Sequence, residues 1–276
     1  MVMGSFCFYS VVGSYFLTWS RNKILKGTNM KCSNSKRLRI FIFYLIAILF
    51  SFYFRFLSPE WYNQLLFPYG LSMIKDWLSG LGPFLGALVV LWIFKPERRN
   101  TLFGTSKLKS VIMAVIPLFI FTIIGANNNE NINIHLYGFN LGITITVYCI
   151  LEETGWRGYL QDELRNINPV LQYLIIGFLW YTWHLTFLSG HINLINELII
   201  FLILFAASVG IGFAVKYTQS IIVAACMHMI GNIIAFSSLL KQSISVQNRL
   251  IIAGICIFTW IIILIFWDKK ILNQKK

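Results

Sequence analysis

The sequence predicts an all-α bundle that crosses a membrane about eight times, and three observations support this prediction. The chain of 276 residues is 57% hydrophobic and only 12% charged, whereas soluble domains carry about 25% charged residues. Its apolar residues come in blocks of roughly 18 or more, the length that a membrane-spanning helix needs. Its basic residues are strongly biased toward one side of these blocks.

Eight apolar runs define the predicted spans. Most are rich in Ile, Leu, Phe and Val, with Trp or Tyr near their ends, as residues at a membrane interface often are. The runs cover residues 40–57, 77–94, 110–126, 137–153, 170–188, 196–215, 219–240 and 250–267. We therefore predict one transmembrane core over residues 39–268, preceded by a basic segment (1–38) and followed by a basic tail (269–276).

The net charge of +13 is explained by membrane orientation rather than by nucleic-acid binding. If the N-terminal side of the first span is cytoplasmic, 19 of the 23 Lys and Arg residues fall on inner segments. The four outer ones are Arg55, Lys75, Lys241 and Arg249. Because this bias follows the positive-inside rule, we predict that both termini are cytoplasmic. The basic loops should attract anionic membrane lipid, and we expect no nucleic acid among the partners.

Residues 1–38 allow two interpretations. An apolar stretch near residues 5–19 precedes the basic residues, whereas a cleaved signal peptide carries its positive charges in front. The stretch is either a short extra helix with its N-terminus outside, or it lies upstream of a true translation start at Met30.

The first group of ionisable residues within the spans is EETGWR. Each charge near a span centre costs roughly 2.5–3.5 kcal/mol on insertion scales, so such residues are candidates for function. Glu153 and Arg157 are four residues apart and can pair on one helix face, which would leave Glu152 for acid/base work. The alternative is a cluster of charges at the membrane surface, which would contribute little.

Two further groups lie on later spans. His184 is flanked by Trp180 and Trp183, and a lone histidine in such a run is more often a core residue than a catalyst. His228 and Asn232 are four residues apart in mid-span, where the alternative is a polar contact between helices. Together the three groups supply a general base, proton carriers and an amide donor for an oxyanion. They also supply nitrogen and oxygen ligands for Zn²⁺.

These motifs resemble those of the CPBP family of intramembrane proteases (CAAX protease and bacteriocin-processing, also called Abi). The family pattern is EExxxR, then FxxxH, then HxxxN, and here EETGWR, WYTWH and HMIGN stand in that order. Trp180 therefore replaces the usual Phe. The motifs span residues 152–232, about a third of the chain.

The resemblance implies hydrolysis of a peptide bond within the membrane. The implied catalytic residues are Glu152, Glu153, Arg157, His184, His228 and Asn232. The first glutamate would activate water with help from the first histidine, and the second glutamate and the arginine would order the site. The second histidine and the asparagine would hold the developing oxyanion.

A zinc mechanism is the alternative, with Glu152, His184 and His228 as candidate ligands. We favour the glutamic mechanism because the HExxH signature of zinc proteases is absent. In addition, adjacent side chains on one helix point about 100° apart, so both glutamates cannot easily bind one ion.

Other functions compete with a peptidase that acts on a peptide or membrane protein. A non-catalytic immunity or scaffold protein of the same fold would leave costly polar groups unused in lipid. A small transporter would need helices broken in paired positions, and only GLGPFLG (80–86) suggests a break. The many Ile, Lys and Asn residues suggest an AT-rich bacterial genome. This origin favours bacteriocin or peptide maturation, or self-immunity, at a bacterial plasma membrane.

Overall fold

A computed structural model of the protein describes residues 34–57, 74–186 and 193–267. Within these residues the only β contact is an isolated parallel bridge between Thr101 and Ser220. The helices are α1 (Asn34–Phe52), α2 (Ile74–Phe94), α3 (Lys107–Ile124), α4 (Ile134–Glu153), α5 (Pro169–His184), α6 (Leu194–Thr218), α7 (Ile221–Gly231), α8 (Ser238–Ser243) and α9 (Val246–Ile265), with a single turn, Gln161–Glu163, between α4 and α5. Three π-helical stretches continue α1, α4 and α7, and they are Tyr53–Leu57, Thr154–Leu160 and Asn232–Phe236.

Five of the described helical segments are long and apolar enough to cross a membrane. They are Asn34–Leu57, Lys107–Ile124, Ile134–Glu163, Leu194–Thr218 and Val246–Ile265. The apolar parts of α2 and α7 are shorter, and α5 has 16 residues. The predicted all-α bundle of a multi-pass membrane protein is confirmed. The number of eight spans, the cytoplasmic termini and the division at residues 38 and 268 stay predictions, because residues 1–33 and 268–276 lie outside the described residues.

The helices that carry the motifs begin at capping residues. The side chain of Asn133 accepts hydrogen bonds from two backbone N–H groups in the first turn of α4. Asn168 does the same for Val170 at the start of α5, where Pro169 takes the first helical position. These residues satisfy N–H groups that have no partner within the helix, so they fix where each helix starts.

Helix α4 is central and packs against α2, α3 and α7. Glycines allow these close approaches. A Cβ atom at Gly138 would lie 2.2 Å from the carbonyl oxygen of Phe121 on α3, and one at Gly155 would lie 2.6 Å from Pro83 on α2. Small residues let helix backbones approach closely in membranes, where helix association depends on van der Waals packing.

The stretch GLGPFLG (80–86) does not break α2, which continues through Pro83. Its first glycine, Gly80, faces Tyr148 on α4, and the other two face α1. A Cβ atom at Gly82 would lie 2.4 Å from the carbonyl oxygen of Ala47, and one at Gly86 would lie 2.5 Å from that of Phe43. This stretch therefore serves helix packing and does not form the broken helix that a transporter would need.

Two apolar clusters meet along α4. One contains Cys149 and side chains from α3, α7 and α9. The other contains Trp156, just beyond α4, and side chains from α1, α2, α5 and α6. Glu152 and Glu153 lie in the chain between Cys149, a member of the first cluster, and Trp156, a member of the second.

Candidate active site

The first motif lies where α4 changes into a π-helix. The regular helix ends at Glu153, and the π-helical stretch Thr154–Leu160 carries Arg157. Short π-helical segments occur frequently at functional sites. Glu152, Glu153 and Arg157 are each 0% exposed. A cluster of charges at a membrane surface would be exposed, and this one is not.

Glu153 has two polar neighbours, Arg157 and His228. Arg157 Nη1 donates a hydrogen bond to Glu153 Oε1 at 2.9 Å, and both side chains are fully buried. His228 Nδ1, on α7, lies 3.0 Å from the same oxygen. This second contact is close but poorly aligned, because His228 Nδ1 does not meet hydrogen-bond geometry with any described partner. Glu153 thus links the first motif to the third.

Glu152 has a different environment from its neighbour. Its Oε2 accepts a hydrogen bond from Trp180 Nε1 at 3.2 Å, whereas its Oε1 is buried without a hydrogen-bond partner among the described residues. Glu153 is therefore the glutamate that pairs with the arginine, as the spacing of four residues predicted, and Glu152 is not paired with it. The catalytic roles of the two glutamates stay predictions.

His184 is the last residue of α5 and is half-buried. Its Nδ1 lies 2.7 Å from the carbonyl oxygen of Trp180, so Nε2 is the ring nitrogen left for other contacts. Arg55, in the π-helical stretch that follows α1, donates from Nη1 to the carbonyl oxygens of Trp183 (2.8 Å) and His184 (3.0 Å). A cation at the C-terminal end of a helix is favourable, because the exposed carbonyl groups there are partly negative.

Asn232 is buried and opens the π-helical stretch after α7. Its Nδ2 donates to Cys149 Sγ at 3.3 Å, so its amide contacts α4 one turn before the glutamates. A thioether or thiol sulfur is a weak acceptor, and this amide can exchange it for a stronger one. Five of the six predicted site residues are buried. Trp180 of the second motif contacts Glu152 of the first. His228 and Asn232 of the third motif contact Glu153 and Cys149 on α4.

The segment that contains these contacts also matches a known family. Residues 134–234 match the family model Rce1-like, described as type II CAAX prenyl endopeptidase Rce1-like. The chain carries an Rce1-like segment. The resemblance inferred from the three motifs is thereby confirmed. The Rce1-like segment runs from the start of α4 into the π-helical stretch after α7 and includes all six predicted site residues. Comparison with curated proteins finds no match.

The side chains proposed as zinc ligands do not form a metal-binding group within the Rce1-like segment. Among residues 34–57, 74–186 and 193–267, no three His, Cys, Asp or Glu side chains are arranged to hold a metal ion. Glu152 accepts from Trp180, His184 faces a backbone carbonyl and His228 faces Glu153. These contacts leave Glu152 Oε1 and His184 Nε2 open, but the two groups and His228 are not arranged as a three-ligand set in the described part of the chain.

The loop between α2 and α3 is fastened to the π-helical part of the Rce1-like segment. Asp162 accepts hydrogen bonds from the backbone N–H groups of Arg99 (2.7 Å) and Asn100 (2.9 Å). Asn100 Nδ2 donates in turn to the carbonyl oxygen of Arg157 at 2.8 Å. Asn100 and Asp162 are both buried. The loop therefore stabilises the backbone that presents Arg157 to Glu153.

Sequence analysis missed Arg249 as a partner of the site. This buried arginine on α9 donates from Nη1 to the carbonyl oxygens of Ile233 (3.2 Å) and Ile234 (2.9 Å), directly after Asn232. The available signal was a single charge near the start of a predicted span, where an unpaired arginine is costly. That signal does not name a partner, and only the packing of α9 against the end of α7 supplies one.

Proposed function

We propose that this protein is an intramembrane endopeptidase that hydrolyses a peptide bond in a peptide or membrane-protein substrate. The observation that carries the proposal is the environment of Glu152. One of its oxygens is held by Trp180, and the other is buried beside the Glu153–Arg157 pair without a hydrogen bond of good geometry, although the Tyr148 hydroxyl lies near this carboxyl group. A buried carboxylate is costly, so a free oxygen in this position is well explained by a role toward water or substrate.

In the proposed mechanism, Glu152 Oε1 accepts a proton from a water molecule as the water oxygen bonds to the scissile carbonyl carbon. His184 assists through Nε2, because its Nδ1 lies against the carbonyl of Trp180. The carbon–nitrogen bond then breaks, and the proton held by Glu152 passes to the leaving amine. Water, one peptide bond and two new termini account for all atoms.

The oxyanion is assigned to His228 and Asn232. With Nδ1 facing Glu153, His228 can present an Nε2–H donor to the developing charge. Asn232 can turn its amide from the weak sulfur acceptor to the same oxyanion. Donors placed where charge develops are often the largest catalytic contribution. The Glu153–Arg157 pair orders these groups and touches no reacting atom.

The matched family and the amino-acid composition both bear on the substrate class. The matched family is named for CAAX prenyl endopeptidases. The composition is typical of an AT-rich bacterial genome, so we propose a peptide or bacteriocin precursor at a bacterial plasma membrane, in maturation or self-immunity.

A cleavage experiment tests this function directly. Peptide termini from membrane and secreted fractions would be compared by mass spectrometry between cells with and without the protein. A peptide found this way would then be incubated with the purified protein in liposomes, in water enriched in oxygen-18. We expect a new C-terminus that carries one heavy oxygen. Identical peptide termini in the two cell populations would contradict a protease and favour a scaffold role.

Metal removal tests the glutamic mechanism. We expect EDTA or 1,10-phenanthroline to leave the cleavage rate unchanged, because no step requires an ion and no described ligand group is formed. The rate would be measured on the same liposome preparation, with a known zinc protease as the positive control for chelation. Loss of activity that returns on adding Zn²⁺ would contradict the glutamic mechanism while leaving the peptidase proposal intact.

A further inference from the structure

Trp180 contacts Glu152 and Arg157 of the first motif and His228 of the third. Its indole N–H donates to Glu152 Oε2 at 3.2 Å. The guanidinium carbon of Arg157 lies 4.7 Å from the ring centre, over its face. The His228 ring meets it edge-to-face, with 4.9 Å between ring centres. The side chain is only 2% exposed, so these contacts form its immediate surroundings.

This arrangement depends on tryptophan rather than on an aromatic ring alone. The FxxxH pattern has Phe at the position of Trp180. A phenylalanine ring could still lie beneath Arg157 and beside His228, since cation–π and edge-to-face contacts need only the ring. A phenylalanine could not donate a hydrogen bond to Glu152, because the only donor on the tryptophan side chain is its indole N–H and phenylalanine has none. The bond to Glu152 is thus a property of this chain's own residue.

The bond distinguishes the two oxygens of Glu152. A carboxylate can rotate about its terminal torsion, which exchanges two chemically equal oxygens and has a broad preference. Here Oε2 accepts from the indole, whereas Oε1 makes no hydrogen bond of good geometry, with the Tyr148 hydroxyl near the carboxyl group. We propose that Trp180 is a positioning residue whose N–H fixes the Glu152 carboxylate so that Oε1 faces the attacking water. This inference rests on the proposed function and deepens it.

Trp183 provides a matched control on the same helix. It is also buried, and its indole N–H donates to Ser51 Oγ (2.9 Å) and to the carbonyl oxygen of Ala47 (3.2 Å) on α1. Replacement of either tryptophan by Phe removes one indole donor from a buried position. Only the change at 180 removes a donor from a site carboxylate, so the pair separates catalytic positioning from packing.

The kinetic experiment compares Trp180→Phe with Trp183→Phe in the liposome cleavage assay. A hydrogen bond to a charged group has a large effect, so we expect Trp180→Phe to lower kcat by about 10- to 100-fold. KM should change little, because the lost contact orients the base and does not bind substrate. Trp183→Phe should lower thermal stability and leave kcat nearly unchanged. Equal losses of kcat in both variants would overturn the proposal.

Trp180→Phe changes the size of the ring as well as removing the N–H, and an isosteric replacement separates these two effects. Benzothienylalanine placed at position 180 keeps the shape of the indole and replaces its N–H with sulfur, whereas 5-fluorotryptophan keeps the N–H. We expect the first to reproduce the loss of kcat seen in Trp180→Phe and the second to restore activity. Full activity with benzothienylalanine would overturn the proposal, since the donor would then be dispensable.

A spectroscopic readout tests the bond without any assay of cleavage. Protein labelled with ¹⁵N-tryptophan has nine indole N–H groups, and the Trp180 resonance is assigned by its disappearance in Trp180→Phe. We expect Glu152→Gln to move this resonance upfield and to leave the Trp183 resonance in place. An unmoved Trp180 resonance would overturn the positioning role. A wild type that cleaves nothing but shows the shift would contradict the proposed function alone.

Discussion

Glu152→Gln is expected to lower kcat by about 10²- to 10⁴-fold, the usual contribution of a general base. Glutamine keeps the size of the side chain, and its amide oxygen can still accept the Trp180 indole. It cannot take a proton from water. The loss should therefore appear in kcat for the peptide substrate, with the amount and thermal stability of the protein close to those of the wild type.

Glu197→Gln is the control for this change. Glu197 lies on α6 and accepts hydrogen bonds from the hydroxyl groups of Tyr181 (2.9 Å) and Thr186 (2.7 Å). We place it outside the proposed machinery, so its substitution should leave kcat near the wild-type value. If Glu152→Gln cleaved as fast as Glu197→Gln, the general-base assignment would be wrong.

Arg157→Ala is expected to produce the largest loss of stability. It leaves Glu153 as a fully buried carboxylate without its arginine, and breaking a buried ion pair by removing one partner costs about 3–5 kcal/mol. We expect the lower end of that range, because His228 Nδ1 lies 3.0 Å from the same oxygen and leaves Glu153 one polar neighbour. Unfolding by detergent titration in mixed micelles would measure the difference in free energy.

Two further variants test whether the loss of stability comes from breaking the buried Glu153–Arg157 pair. Arg165→Ala removes the arginine of an exposed pair with Glu97, and exposed pairs contribute little, so stability should hardly change. The double variant Glu153→Gln with Arg157→Met removes both buried charges and should recover much of the lost stability. It should not recover cleavage, because the site would lose the carboxylate that faces His228 and the arginine that orders it. Similar stability losses in Arg157→Ala and Arg165→Ala would contradict the buried-pair account.

The parts of the site that could be predicted are those fixed by short spacings. Residues four apart on a helix share a face, and the structure pairs Glu153 with Arg157 in this way. The turn that carries Arg157 is π-helical, which the sequence did not predict. The spacing also predicted that one glutamate would be paired and the other available. It did not indicate that the available one accepts from Trp180, 28 residues away.

The sequence by itself determined that this protein is an all-α membrane bundle, because the thickness of a bilayer sets the length of apolar runs. It also placed three polar motifs on predicted spans, where lipid penalises polar groups that have no role. Tertiary structure alone decided which groups meet: the indole of Trp180 with Glu152, Asn100 with Arg157, and Arg249 with the end of α7. The reason is physical. A helix that is apolar on all sides carries no hydrophobic stripe to show which face meets a neighbour. The rotation and depth of each helix follow from close packing, which only the folded chain specifies.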